Sequence, residues 1–328
     1  MLTIKPMNRR SFLEKSSLAL ASGILAPNLS FSRNFKPISN VGLGLFTLPK
    51  ALGSDLTGTL KMISEIGYKE LEFFGPYDFS VDSVKKSWDQ MAGMLGISGS
   101  GYFGKSPKEM RAILDDLGLT APSIHVDLET LQQNMGPLAE AAHIMGHKDV
   151  GIAMIPQELR PNLDGYKKMA DVFNAIGEEA KKNGLTYFYH NHGYGHSELE
   201  GEIPFQLLLD RTDKDLVKME MDVFWFASAG ADMIAYLKNN PGRFELFHLK
   251  DMSEKKTFAN GGESMNDIMG MFPYLADAGT GVLDLCEIVS VAQQNGGKHF
   301  FLEKDMTTTP QETLKGSFEF LKSLKDPC

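Results

Sequence analysis

From residue 41 onward, short runs rich in apolar, β-branched and aromatic residues alternate with longer stretches whose apolar residues recur every three or four positions. The runs read as strands, and the longer stretches as helices with one face turned to a core. Eight strand-like runs occur: VGLGLFTLP (41–49), KELEFFG (69–75), APSIHVDL (121–128), DVGIAMIP (149–156), LTYFYHNH (185–192), LVKMEMDVFWF (216–226), FELFHLKD (244–251) and KHFFLEKD (298–305). Helical spacing fills the segments between them, as in DLTGTLKMISEIG, KEMRAILDDLG, PLAEAAHIMGH and YKKMADVFNAIGEEAKKNG, and QETLKGSFEFLKSL closes the chain. Several of these end at Gly or Asn-Gly, as helix C-termini favour. Eight strand–helix units without a long linker predict one α/β domain over residues 37–328, a (β/α)8 TIM barrel. The alternative, an open doubly wound sheet, lacks a glycine-rich phosphate fingerprint after an early strand.

Two connections are longer than a barrel requires, residues 76–120 and 252–297. Loops that follow barrel strands sit on the catalytic face, so both are expected as lids or pocket walls. For 76–100 a decorative insertion with its own helix is an equal alternative. Polar residues recur at the C-terminal ends of the strands: Glu72; His125 and Asp127; His190 and His192; Glu220 and Asp222; His248, Lys250 and Asp251; Glu303 and Asp305. Strand after strand they converge on the barrel mouth, which predicts a functional site there. Alternation along a strand puts His190 with His192, Glu220 with Asp222, and His248 with Lys250 on shared faces. Imidazole and carboxylate donors together suit one divalent ion of Mn2+, Co2+, Zn2+ or Fe2+ better than Mg2+ or Ca2+.

Charge narrows the partners. The chain has 328 residues and a formal net charge of −9. An acidic protein gains nothing electrostatically from nucleic acid or an anionic bilayer, so a small-molecule partner is expected. Two cysteines, Cys286 and Cys328, are too few for a disulfide framework and form no metal or redox motif. Residues 1–36 stand apart: Arg9-Arg10-Ser11-Phe12-Leu13 precedes the apolar stretch SLALASGILA. That stretch is too short to span a bilayer and has the layout of a secretion signal, here resembling the twin-arginine export type. The expectation is an exported, periplasmic protein with no stable membrane insertion once the leader is removed.

The stretches YHNHG (189–193), MEMDVFWFASAGAD (219–232), GRFELFHLKDM (242–252), AGTGVLDL (278–285) and FLEKD (301–305) resemble the xylose-isomerase-like TIM barrels, the sugar phosphate isomerases/epimerases. The resemblance implies one divalent metal at the barrel mouth, held by residues after strands five to eight. By motif, the last three are Asp222, His248 and Glu303. At the fifth strand the family commonly has Glu, whereas this chain has His190, which then becomes the fourth ligand. Glu303 is the implied carboxylate base. A second acid/base falls to His192, Lys250 or His125, and a depressed pKa for Lys250 beside a cation and a histidine would suit it. Lys250 could equally donate hydrogen bonds to substrate hydroxyls. Glu72 and His125 are expected on the substrate side and Glu220 behind a ligand. Asp251 and Asp305 could simply cap loops, Trp225 is wall, packing or a sugar-stacking face, and His196 belongs to the loop beyond the motif.

These assignments imply an enzyme acting on a small carbohydrate. The leading expectation is an isomerase or epimerase that moves the proton α to a carbonyl through a metal-stabilised enediolate. The runner-up is a metal-dependent lyase or hydrolase on 3-keto-glycosides or other oxidised sugars, since the same enolate can expel a substituent. An apurinic-site endonuclease fits poorly, because Trp225 stands where such enzymes supply another His. A non-catalytic sugar-binding protein is the remaining class, disfavoured by the presence of Glu303.

Overall fold

The computed structural model describes residues 36–324; the leader-like segment, all but Lys36, lies outside them. Eight parallel strands close into a barrel: Val41–Gly44, Glu70–Phe74, Thr120–His125, Asp149–Ile152, Thr186–His190, Val217–Asp222, Phe244–Leu249 and His299–Leu302, each paired with its sequence neighbours and the first with the last. The predicted (β/α)8 architecture is therefore the observed one. Helices pack outside the strands, and local chemistry starts and stops them. Asp55 accepts a hydrogen bond from the Gly58 N–H at the start of Leu56–Ile66, and Ser106 and Glu109 form a reciprocal capping box on Pro107–Asp116. Met135–Met145 stops at Gly146, whose φ of 84° is the left-handed conformation that glycine tolerates. No helix among the described residues is long and apolar enough to cross a membrane.

The barrel interior is plugged rather than hollow. Phe188, Leu246 and Phe301, from strands five, seven and eight, are fully buried and form a separate apolar cluster. Glycines make the room: a Cβ on Gly42 would lie 2.4 Å from the Phe301 ring, and one on Gly151 would lie 2.5 Å from the Phe188 ring. The plug lies next to the mouth histidines, with the Phe188 and His125 rings 5.4 Å apart and the His248 and Phe301 rings 6.4 Å apart. The polar mouth thus rests on a dry floor.

One boundary departs from the sequence reading. The sixth run was expected to continue as strand to residue 226, but the strand ends at Asp222 and residues Val223–Ser228 are helical. The Asp222 carboxylate accepts hydrogen bonds from the N–H groups of Phe224 (3.0 Å) and Trp225 (3.1 Å), which starts the helix there. A short apolar run such as VFWF has no periodicity of its own to show this. Both long connections do reach the mouth. The first carries the helix Asp82–Leu95 and the second the helix Met265–Met271, which lies between the two strands of a short ribbon, Asp251–Met252 and Leu275–Ala276.

Candidate active site at the barrel mouth

Register and alternation bring the strand-end residues together. His190 lies level with Glu220 across strands five and six, and Asp222 level with His248 across strands six and seven. The donor atoms of His125, His190, Glu220 and His248 fall within 4.8 Å of one another, and so do those of Asp222, His248 and Glu303. The expected quartet of His190, Asp222, His248 and Glu303 is thus close but spread over two overlapping groups, with His248 common to both. His190 Nε2 stands 3.8 Å from Asp222 Oδ2, His248 Nδ1 3.7 Å from the same oxygen, and Glu303 Oε2 2.8 Å from His248 Nδ1.

The loop after strand five is shaped by its own motif. Asn191 Oδ1 accepts from the Gly193 N–H, and its amide donates to Tyr189 Oη and the Tyr194 carbonyl. Gly193 has φ 85°, and a Cβ there would meet the Trp225 carbonyl at 2.6 Å, so only glycine fits. This turn leaves His190 and His192 both lining the cavity, and His192 pairs through Nδ1 with the Ala153 carbonyl at 2.9 Å. His196 stands in the loop beyond the motif, as expected, but turned inward. It packs against Phe205, Phe226 and Tyr236, with both ring nitrogens buried and without a hydrogen-bond partner.

Five carboxylates, Glu72, Glu220, Asp222, Glu303 and Asp305, are buried around a single lysine, Lys250. Burial works against the Lys250 charge, but Asp222, Asp305 and Glu303 at 2.8–2.9 Å hold its pKa well above the usual lysine value. The depressed value expected from sequence rests on a cation beside the lysine, whereas the groups that surround it here are anions. Burial raises Asp305 to about 6 although Lys250 opposes it, and burial together with Glu72 raises Glu220 to about 7. Burial pushes Glu303 upward, yet His248 and Lys250 outweigh it and hold the carboxyl well below the ordinary range. His190 is driven far down by burial and by His248, and His192 to about 4 by burial and Lys250. Burial also opposes a proton on His248, but Glu220, Glu303 and Glu72 lift it well above its usual value.

A divalent ion fits this arrangement. Lys250, His125 and His248 together face five carboxylates, and the remaining buried negative charge must be paired or coordinated. Glu220 Oε1, Asp222 Oδ2 and His248 Nδ1 are buried without a partner in hydrogen-bond geometry, although ion-pair partners stand near them. Asp222 shows why: its Oδ1 caps the helix, which leaves Oδ2 turned to the histidines and Lys250. Mixed imidazole and carboxylate donors favour a transition-type divalent ion.

The remaining strand-end residues divide. Glu72 accepts from Ser123 at 2.6 Å and pairs with His248 at 2.5 Å, and His125 pairs with Glu220 at 2.7 Å. Both Glu72 and His125 also line the cavity. Asp127 caps the helix Leu128–Gln133, and Asp251 accepts from the N–H groups of Gly279, Gly281 and Leu283, so it organises the AGTG loop. Asp305 does not cap; it lines the cavity and grips Lys250, a role its place at a run's end did not reveal. Trp225 is 1% exposed, lies parallel to Phe258 and leans on His192, so it forms wall. Above these groups opens a cavity of about 680 Å³.

Known proteins bear on this geometry. An inosose dehydratase of Clostridium perfringens is 33% identical over 95 residues, 29% of this chain and 31% of that protein. An inosose dehydratase of Clostridium beijerinckii is 27% identical over 142 residues, 43% and 47% of the two chains. The chain thus matches less than half the length of these curated relatives. A sugar phosphate isomerase/epimerase from Parabacteroides distasonis has the same fold, with TM-score 0.67, 21% identity and coverage of 87% of this chain and 95% of that one. The IolI protein, solved with a zinc atom, also shares it at TM-score 0.58 and 14% identity, covering 87% and 96%. The family model for the xylose isomerase-like TIM barrel matches residues 60–324, and the chain belongs to that family.

Proposed function

We propose that this protein removes the proton next to the carbonyl of a keto-sugar and expels the substituent on the following carbon, as a lyase. The observation that carries the reading is the meeting of Glu303, His248, Asp222 and Lys250 at one end of a cavity, with Glu303 Oε2 2.8 Å from His248 and 2.9 Å from Lys250. Loss of water from a ketone begins with the same proton removal, and the curated relatives are named as dehydratases of inosose.

A divalent ion held by His190, Asp222, His248 and Glu303 would supply Lewis-acid polarisation of the substrate carbonyl. The chain's own groups do the rest. Glu303 takes the α-proton, and its pairing with Lys250 and His248 fixes the direction of its lone pairs. Lys250, kept cationic by three carboxylates, balances them and holds Glu303 in place from behind. His125, which lines the cavity, stands where a leaving oxygen can be protonated, while His192, its Nδ1–H given to the Ala153 carbonyl, can accept a hydrogen bond from a substrate hydroxyl. The apolar plug and the wall formed by Trp225 keep bulk water from the reacting carbon. The leader-like segment supports export by the twin-arginine route, which places the substrate outside the cytoplasm.

An isomerase or epimerase remains the second reading, because carboxylates from strand two and strand eight, Glu72 and Glu303, both line the cavity and could serve two faces of a sugar. One experiment separates them. The purified protein is assayed for its metal and then incubated in deuterium oxide with keto-sugars that carry, or lack, a β-substituent. Deuterium uptake with release of the substituent supports the lyase, and uptake with the substituent retained supports the isomerase. A metal-loaded protein that does neither sinks both.

A further inference from the structure

The wall of the cavity differs sharply from its floor. In the helix Asp82–Leu95 the residues Val84, Trp88, Met91 and Leu95 recur at helical spacing and form one apolar stripe. Such a stripe normally lies on a core. Here only Ala92 of the helix is buried, and the four stripe residues line the cavity above the candidate site. Facing it, the helix Met265–Met271 and the residue after it present Met265, Ile268, Met269 and Phe272 at the same spacing to the same cavity. Two helices from two separate insertions thus turn apolar stripes on one space; Trp88, Ile268 and Phe272 also pack on the protein's own core, while the methionines stay partly open. Met91, Met265 and Met269 remain 39%, 52% and 43% exposed. Methionine side chains are unbranched and polarisable, and they shape themselves to varied apolar ligands.

A free monosaccharide has only small C–H faces between its hydroxyls, far less apolar surface than two stripes on two helices present. A volume of about 680 Å³ is in the range of pockets that hold drug-sized ligands. We infer that the substrate is a keto-sugar carrying an apolar, ring-sized aglycone, with the sugar ring at the charged floor and the aglycone between the two methionine-rich helices. This rests on the lyase reading and specifies its leaving group. The chemistry then places the ketone. Expulsion of an anomeric substituent needs an acidic proton on C2, and therefore the carbonyl at C3. The C2–H bond breaks with its proton going to the base, a C1=C2 double bond forms, and the C1–O bond breaks with its electron pair leaving on the aglycone oxygen. That oxygen takes a proton, so the products are an enone and the free alcohol, with no change of oxidation level overall.

The test compares methyl and cyclohexyl 3-keto-β-glucosides, whose leaving groups are similarly basic, so a difference reports the pocket rather than the bond. The metal-loaded protein is expected to favour the cyclohexyl compound by at least about tenfold in kcat/KM, the scale at which apolar pockets discriminate. The preference should collapse in the double variant Met91→Ser with Met265→Ser, both on exposed positions. Equal kcat/KM for the two compounds overturns the aglycone inference while leaving the lyase intact. If neither compound turns over, calorimetric binding of the unoxidised methyl and cyclohexyl glucosides decides. Tighter cyclohexyl binding, lost in the double variant, upholds the apolar subsite with the reaction assignment gone; equal binding or none sinks it.

Discussion

The first barrel strand carries a glycine whose purpose is visible only in three dimensions. An ideal Cβ on Gly44 would lie 2.7 Å from Glu303 Oε1, 3.1 Å from its Cδ and 3.2 Å from its Cγ. The backbone itself is no obstacle, since φ is −72° and ψ 116°. Gly44→Ala therefore acts almost wholly on the Glu303 side chain. Ordinary contact begins at about 3.4 Å, so the carboxylate must retreat by about 0.7 Å. Three atoms of the side chain are crowded at once, and a simple torsion of the carboxylate does not relieve all of them. Retreat also pulls Oε2 away from His248 and Lys250, which now hold it at 2.8 and 2.9 Å. A misplacement near 1 Å at a reacting group costs roughly 10²-fold in rate, so kcat/KM should fall by about that factor. Stability should change by only about 1 kcal/mol, because extra packing strain is partly offset by the lower unfolded-state entropy of alanine. The companion variant is Gly42→Ala on the same strand, whose Cβ would strike the Phe301 ring at 2.4 Å and the Phe300 carbonyl at 3.1 Å. It presses on the apolar plug instead, and should cost about 1–3 kcal/mol of stability. Urea melts and solvent deuterium uptake into a keto-sugar read the two properties separately. A folded Gly44→Ala protein that exchanges at the wild-type rate would refute the assignment of Glu303 as base.

Other consequences are equally direct. Dialysis against a chelator should lower the thermal midpoint and abolish activity, with both restored by a divalent ion; a protein purified without metal and indifferent to it would end the metal reading. Elemental analysis of Asp222→Asn should show loss of the ion, whereas Asp127→Asn, at a helix cap on the cavity wall outside both donor groups, should retain it. Acid should weaken the fold through His147, fully buried between Tyr102 Oη and the Ala121 carbonyl. Burial lowers its pKa to about 4, so between the unfolded value of 6.5 and about 4 the unfolded chain binds a proton that the native one does not. Stability from this group is present above 6.5 and falls as pH drops through that window, by roughly 3 kcal/mol in all. His147→Gln should flatten that part of the urea-derived stability curve, and an unchanged slope would count against it. Arg160 ties Glu263 to the Ile155 carbonyl, while Glu263 accepts from the Gly195 N–H of the histidine loop. Arg160→Ala should cost about 1–3 kcal/mol in urea melts, and no loss would show that the clamp is idle.

The barrel was legible because its period is local: apolar runs and helical spacing repeat within each strand–helix unit, and tertiary contacts do not override them. The mouth was legible for a related reason. Strand ends are a fixed place in this fold, so polar residues there must converge whatever their separation in sequence. What escaped were facts about pairs of atoms. Asp305 reads as the last letter of a run, and only the fold shows it gripping Lys250. Asp222 reads as a site residue, but not as one whose carboxylate divides between a helix start and the site. Lys250 reads as a group beside a cation and a histidine; the carboxylates that also surround it come from strand six and from the end of strand eight, beyond any local pattern. Gly42, Gly44 and Gly151 carry no side chain to read at all. Their content is the space they leave for Phe301, Glu303 and Phe188, which are distant in sequence and close in the barrel. The methionine stripes are the instructive intermediate case. Their spacing at 84, 88, 91 and 95 can be read directly and predicts a buried face, but spacing cannot say what buries it. In the structure Trp88 rests on Phe74 and the core, while the rest of the stripe faces the cavity with no covering element among the described residues. An apolar helix face left partly open at the mouth of a barrel thus marks where a ligand completes the packing.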